Sequence, residues 1–154
     1  MNNHSSHPVD WSVGLQLTAG PYFIGLYQPS PETRGFWEGV QRGELLLKWC
    51  AHCQVAYHPK RIVCTQCGDN GLRWKKSSGR GKVFSFSEIH HVADPIFKSS
   101  LPYTVGLVRL EEGVHLMSRL IPEPGPIGID ASAFVDFRVL ESGQLLPVFL
   151  IGKR

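Results

Sequence analysis

Cys50-Ala51-His52-Cys53 and Cys64-Thr65-Gln66-Cys67 decide how this chain is read. They are two identical C-x-x-C pairs, ten residues apart, and they hold all four cysteines of a 154-residue chain. Each two-residue gap lets both sulfurs of a pair reach one ion from a tight turn. The intervening hairpin brings the second pair opposite the first. The expected outcome is a closed tetrahedral cage of four sulfurs, which suits Zn²⁺ and leaves no position for water. Such an ion has no redox work, so it is structural, and its binding, on the order of 10 kcal/mol, folds the small unit around it. Iron in a rubredoxin-type site uses the same ligand set, and spacing does not separate the two metals. A dithiol redox pair and two disulfides are the other readings; the clustering of all four cysteines favours a metal. His52 and His58 are reserve ligands, read as surface residues because four cysteines already fit.

Working outward, Leu45 to Trp49 is a short strand leading into Cys50, Val55 to Val63 returns as a second, and Leu72 to Lys76 closes a ribbon over 45–77. Before it, Ser30-Pro31 places an N-cap and a proline at the start of a helix over 30–44. Glu32 lies in its first turn, Phe36, Trp37 and Val40 mark its apolar side, and Gly43 its stop. Residues 1–29 read as an extended N-terminal arm. Leu15, Leu17, Tyr22, Phe23, Ile24, Leu26 and Tyr27 suggest that it packs on a partner or on its own domain.

After the turn Ser78-Gly79-Arg80-Gly81 the chain becomes a series of β runs: 82–92, 103–110, 114–121, 133–140 and 145–151. Glu111-Glu112-Gly113 and Glu141-Ser142-Gly143 are tight links, so the second and third runs pair, as do the fourth and fifth. Pro122 to Asp130 holds three prolines and cannot be much of a helix. Five antiparallel strands over 78–154 predict a small closed barrel of the OB type, without the usual helix between the third and fourth strands. The fold class is mainly β: arm and short helix, rubredoxin-like zinc ribbon, five-stranded OB barrel.

Hydrophobic residues at 42%, charged residues at 19% and a net charge of +3 describe a soluble globular chain with no strong electrostatic partner. No apolar run is long enough to span a bilayer and no secretory h-region opens the chain, so no membrane and a cytoplasmic location are expected. Nucleophile-elbow, zincin, P-loop and dinucleotide signatures are lacking. With the thiols committed to a metal, His90 and His91 remain as acid/base candidates. Adjacent strand positions face opposite ways, so the plain expectation is one in the core and one exposed. The basic stretch Arg73, Lys75, Lys76, Arg80 and Lys82 suits phosphates or simply a solvated strand. A single-stranded nucleic-acid module is the alternative function, with Phe84, Phe86, Tyr103, Phe134 and Phe137 as stacking candidates. Strand patterning assigns most of those rings to the core and the charge is modest, which makes nucleic acid the weaker partner.

The order Phe36-Trp37, Gly43-Glu44-Leu45, C-x-x-C, His58-Pro59-Lys60-Arg61, C-x-x-C, Ser78 to Phe86, Pro102-Tyr103, Val108 to Gly113 and Leu146-Pro147-Val148-Phe149 resembles the zinc-ribbon/OB-fold proteins associated with acyl-CoA enzymes, formerly a domain of unknown function. The likeness covers about residues 30–151. It departs at Gln54, where a glycine is usual, at His58-Pro59-Lys60-Arg61 in place of Pro-Pro-Arg, and at the lengthened Gly128 to Val135 segment. The resemblance implies an accessory subunit of thiolase-like enzymes, such as sterol-carrier-protein-type thiolases or aldolases and benzoylsuccinyl-CoA thiolase. It would form a hetero-oligomer built on a thiolase dimer, with the catalytic Cys and His on the partner and a CoA thioester as the substrate of the complex. Activity of the chain alone is not expected. The metal residues are then Cys50, Cys53, Cys64 and Cys67; Arg80, Lys82 and Lys98 are candidate CoA or phosphate contacts; His91, Asp94 and Phe97 belong to a candidate partner or substrate-channel loop.

Overall fold

A computed structural model describes residues 30–93, 95–139 and 144–152. The expected arm over 1–29 and the site candidate Asp94 lie outside the described residues.

Pro31 opens a 3-10 turn, Pro31–Thr33, which passes directly into helix α1, Arg34–Gln41. The Ser30 N–H donates to Thr33 Oγ1 at 2.9 Å, and the Thr33 N–H donates to the Ser30 carbonyl at 3.0 Å, so the first free backbone groups find partners. The helix stops where Gly43 turns left-handed at φ +70° and the Glu44 N–H donates back to the Gly39 carbonyl. Phe36, Trp37 and Val40 form its buried side.

Strands β1 (Leu46–Cys50), β2 (Val55–Tyr57) and β3 (Arg73–Lys76) form an antiparallel sheet in the order β2-β1-β3. The second ribbon strand is therefore shorter than the expected 55–63: it ends at Tyr57, ahead of His58 and Pro59, because proline has no N–H to donate to a ladder. Helix α1 lies against this sheet so closely that a side chain on Gly35 would collide with Trp74, and one on Gly39 would meet Leu46 at 2.6 Å.

Five further strands, β4 (Arg80–Ile89), β5 (Tyr103–Leu110), β6 (His115–Pro122), β7 (Ser132–Val139) and β8 (Leu145–Ile151), close into a barrel in the order β4-β5-β6-β8-β7. Neighbouring pairs are antiparallel except β6 with β8, which run parallel through Leu120 and Phe149. Closure comes from Arg80, Gly81 and Lys82 pairing with Phe134, Ala133 and Ser132. This is the OB barrel expected, with β5 pairing β6 and β7 pairing β8 as predicted and no helix between β6 and β7; the predicted link Glu141-Ser142-Gly143 lies outside the described residues.

Val83, Val108, Leu120, Ala133 and Phe149 fill the interior, and Phe36, Trp37, Leu45 and Leu47 continue the same core into the helix and ribbon. One expectation needs correction. Val83 takes the inward position of β4, so its neighbour Phe84 faces out, and past the β-bulge between Val83 and Ser85 the strand has no buried position, so Phe86 is exposed too rather than buried. Tyr103, Phe134 and Phe137 are half-buried. His90 and His91 are both exposed, because β4 ends at Ile89 and both residues lie beyond the strand's alternation of faces.

Candidate metal centre

Cys50 is the last residue of β1, and Cys53 follows in the turn to β2. Cys64 and Cys67 sit on a second turn between β2 and β3. The two turns share one geometry. The Gln54 N–H donates to the Cys50 carbonyl at 2.9 Å, and the Gly68 N–H donates to the Cys64 carbonyl at 3.0 Å. Gln54 and Gly68 occupy the same place in each turn and both are left-handed, at φ +57° and +76°. Glycine adopts that conformation freely, whereas a residue with a Cβ pays in strain.

All four Sγ atoms lie within 4.8 Å of one another, and none is in a disulfide. Cys50 Sγ and Cys67 Sγ are 3.7 Å apart. Four sulfurs at about 2.3 Å from one tetrahedral zinc stand about 3.8 Å from each other, so the cluster fits that ion. Cys50 and Cys64 are buried, Cys53 is half-buried and Cys67 is exposed. Cys50 Sγ accepts the Cys53 N–H at 3.4 Å. The Tyr57 hydroxyl lies 3.2 Å from Cys64 Sγ and 3.2 Å from Thr65 Oγ1.

The metal-free sulfurs do not titrate alike. The hydrogen bond from Tyr57, above all, draws Cys64 down to about 6, whereas hydrogen bonding with Cys67, followed by desolvation and the other thiols, pushes Cys53 up to about 12. A cluster that holds thiol and thiolate side by side is what a soft cation replaces with four thiolates. His52 is exposed, and His58 lies at the surface with its ring partly desolvated; its Nδ1 accepts the Lys60 N–H at 3.2 Å. Tyr57 is not singled out by cysteine spacing. Its only signal in the sequence is a hydroxyl placed between the two pairs.

The remaining candidates do not form one cluster. Arg80 and Lys82 are exposed at the start of β4, on the side where the ribbon joins the barrel. Lys98 and Phe97 belong to a 3-10 turn, Pro95–Ser100, that follows the far end of β4. Lys98 is exposed, and Phe97 packs on Tyr103 with ring centroids 6.5 Å apart. Arg119 in turn lies over the Tyr103 ring at 4.3 Å. On β4 and β6, Phe84 meets His115 edge-on at 4.7 Å, and Met117 two residues further along β6 is 60% exposed. Between ribbon and barrel a groove of about 470 Å³ is lined by Trp49, Val55, Lys75, Ser77, Glu111 and Glu112.

Two family models cover this architecture: the ChsH2 rubredoxin-like zinc ribbon domain over residues 37–73 and the ChsH2 C-terminal OB-fold domain over 74–138. The first agrees with the four-cysteine cluster, and together they support a structural zinc. A DUF35 domain-containing scaffold protein of Methanothermobacter thermautotrophicus is 36% identical over 117 residues, covering 73% of this chain and 87% of that protein. A probable enoyl-CoA hydratase alpha subunit of Thermomonospora curvata is 33% identical over 116 residues, which make up 74% of this chain but only 36% of that longer protein. Among solved structures, the Ltp2-ChsH2(DUF35) aldolase matches with a TM-score of 0.70 at 29% identity, over 80% of this chain and 98% of the matched one. With ribbon, barrel and paired thiol turns in the same order, the chain belongs to the DUF35 family of ChsH2-type zinc-ribbon/OB-fold proteins.

Proposed function

We propose that this chain is a non-catalytic zinc-binding subunit of a thiolase-type acyl-CoA enzyme complex, in which carbon–carbon bond cleavage or formation next to a CoA thioester is carried out by the Cys and His of a partner. The observation that carries this reading is that all four cysteines of the chain sit in one cluster, where a zinc ion leaves no sulfur to act as nucleophile. Cys50, Cys53, Cys64 and Cys67 hold the ion, which supplies structure and no chemistry of its own. The relatives, a scaffold protein, a hydratase subunit and an aldolase, agree with a supporting role beside an acyl-CoA enzyme.

The partner is a thiolase-like catalytic protein, held in a hetero-oligomer. Exposed Phe84, Phe86 and Met117 are large apolar side chains that a partner surface would cover. His91, Phe97 and the segment that includes Asp94 are assigned to the partner or substrate channel. Arg80, Lys82 and Lys98 are assigned to CoA phosphates. Among the described residues no helix is long and apolar enough to cross a membrane, and we place the complex in the cytoplasm. The test is co-expression with a thiolase-type protein: the two are expected to co-purify, with acyl-CoA turnover only in the pair. Turnover by the isolated chain would overturn the assignment.

The second reading is a single-stranded nucleic-acid module. It draws on the exposed Phe84 ring beside Lys82 and Arg109 on the outer side of the barrel. It predicts oligonucleotide binding that weakens steeply as salt rises.

A further inference from the structure

We infer that Tyr57 is a positioning residue of the metal centre, whose hydroxyl donates to the Cys64 sulfur and is itself held by Thr65. The inference rests on the zinc assignment above and concerns what keeps the ion in place.

The backbone of Tyr57 is fixed, because this residue ends β2 and pairs with Lys48 of β1. Its hydroxyl has one hydrogen and two neighbours, each at 3.2 Å: Cys64 Sγ and Thr65 Oγ1. A sulfur bound to a metal has lost its proton and only accepts. The single hydrogen of Tyr57 therefore goes to Cys64, and the Thr65 hydroxyl donates to the Tyr57 oxygen. The direction of the chain, Thr65 to Tyr57 to Cys64, follows from counting protons.

The four sulfurs differ in what else can serve them. Cys67 is exposed to solvent and accepts the Asp69 N–H, and Cys50 accepts the Cys53 N–H. Cys64 is buried at 1% exposure, so water cannot supply it. Tyr57 provides its one side-chain donor from outside the cluster, added to the backbone N–H groups of Gln66 and Cys67. With the Tyr57 hydroxyl gone, the buried Cys64 thiolate keeps only the backbone N–H groups of Gln66 and Cys67, so it carries more charge on sulfur, takes up a proton more readily and lets the ion go sooner.

The test has separate arms. Elemental analysis of the unaltered protein is expected to give one zinc per chain; metal-free folded protein would remove the assignment on which this inference rests. In zinc-loaded Tyr57→Phe, release to a competing chelator is expected to be about tenfold faster, within the range for lost outer-sphere partners. In the cobalt(II) form the sulfur-to-metal charge-transfer band is expected to move to lower energy, because an unassisted thiolate gives up electron density more easily. Thr65→Val should move both readouts the same way by less, and Thr65→Ser should restore them. Parent-like release with an unmoved band in Tyr57→Phe and Thr65→Val would overturn the role while leaving the zinc assignment intact. Where Tyr57→Phe fails to fold, Thr65→Val against Thr65→Ser decides it.

Discussion

Glu112, in the turn between β5 and β6, accepts the Ser78 N–H at 2.6 Å, and the same carboxylate oxygen accepts the Ser77 hydroxyl at 2.9 Å. Ser77 and Ser78 are the residues through which the chain leaves the ribbon for the barrel. One side chain of the barrel thus fixes the path between the two units. Because the acceptor is charged, Glu112→Ala is expected to lower stability by about 2 kcal/mol. Glu112→Gln should lose less, since an amide oxygen still accepts. Chemical denaturation of the zinc-loaded protein measures both.

The two thiol turns make a paired prediction. Gln54 stands in the left-handed position that Gly68 fills in the other turn. Gln54→Gly is expected to stabilise the protein by about 1 kcal/mol, and Gly68→Ala to destabilise it by a similar amount. The side-chain amide of Gln54, which donates to the Ala51 carbonyl at 2.5 Å, offsets part of the gain. A Gln54→Gly midpoint below that of the parent would show that this contact outweighs the backbone strain.

Gly106 is a third local test. A Cβ there would run into the Ser85 carbonyl and lie 2.7 Å from Leu120 Cδ1. Backbone at a bulge cannot swing aside as a long side chain can, so Gly106→Ala is expected to cost about 2 kcal/mol. Thermal unfolding reads the loss.

Removing the ion should divide the molecule. The ribbon strands span only five, three and four residues, and they cannot bury enough surface to hold the sheet unaided. Chelation is expected to abolish amide protection in β1 to β3 while β5, β6 and β8 keep theirs. Hydrogen exchange with and without chelator checks this, and uniform loss across all eight strands would contradict it.

His58 supplies a pH dependence. Desolvation of the ring first, then the charges of Lys60 and Arg61, hold it below its ordinary value of 6.5. The unfolded chain therefore takes up a proton before the folded one, so this contribution is whole above pH 6.5 and is lost as pH falls below it. His58→Asn should show a shallower acid slope in urea denaturation than the parent, at equal zinc loading. Equal slopes would assign the acid loss to the thiolates alone.

The thiol cluster, the helix start at Ser30-Pro31 and the two hairpins were legible because each depends on residues close together in sequence. Cys50 to Cys53, Pro31 at a helix entrance, and glycine at a tight link are local statements. What the chain did not disclose depends on neighbours brought from afar. The bulge between Val83 and Ser85 is a mismatch in register with Val108 and Leu107, visible only once β5 lies beside β4. The parallel contact of Leu120 with Phe149 joins strands whose turn chemistry gives no hint of it. Tyr57 acquires its place at Cys64 only when the ribbon has folded. The early end of β2 was in principle readable, since Pro59 interrupts any ladder that tries to pass it.

Strand β1 lies at the centre of the ribbon sheet and ends on Cys50, while Leu47 within it and Leu45 just before it are in the barrel's own core. Five residues therefore span the distance between ion and interior, like a tie rod anchored at both ends. Loading and packing become reciprocal quantities: whatever loosens the sulfurs slackens the grip on the core, and whatever disturbs the core is felt at the sulfurs. A chain that misses its metal is left with an unfastened beam: its sulfur end comes loose first, and the barrel keeps only the inner anchor at Leu45 and Leu47.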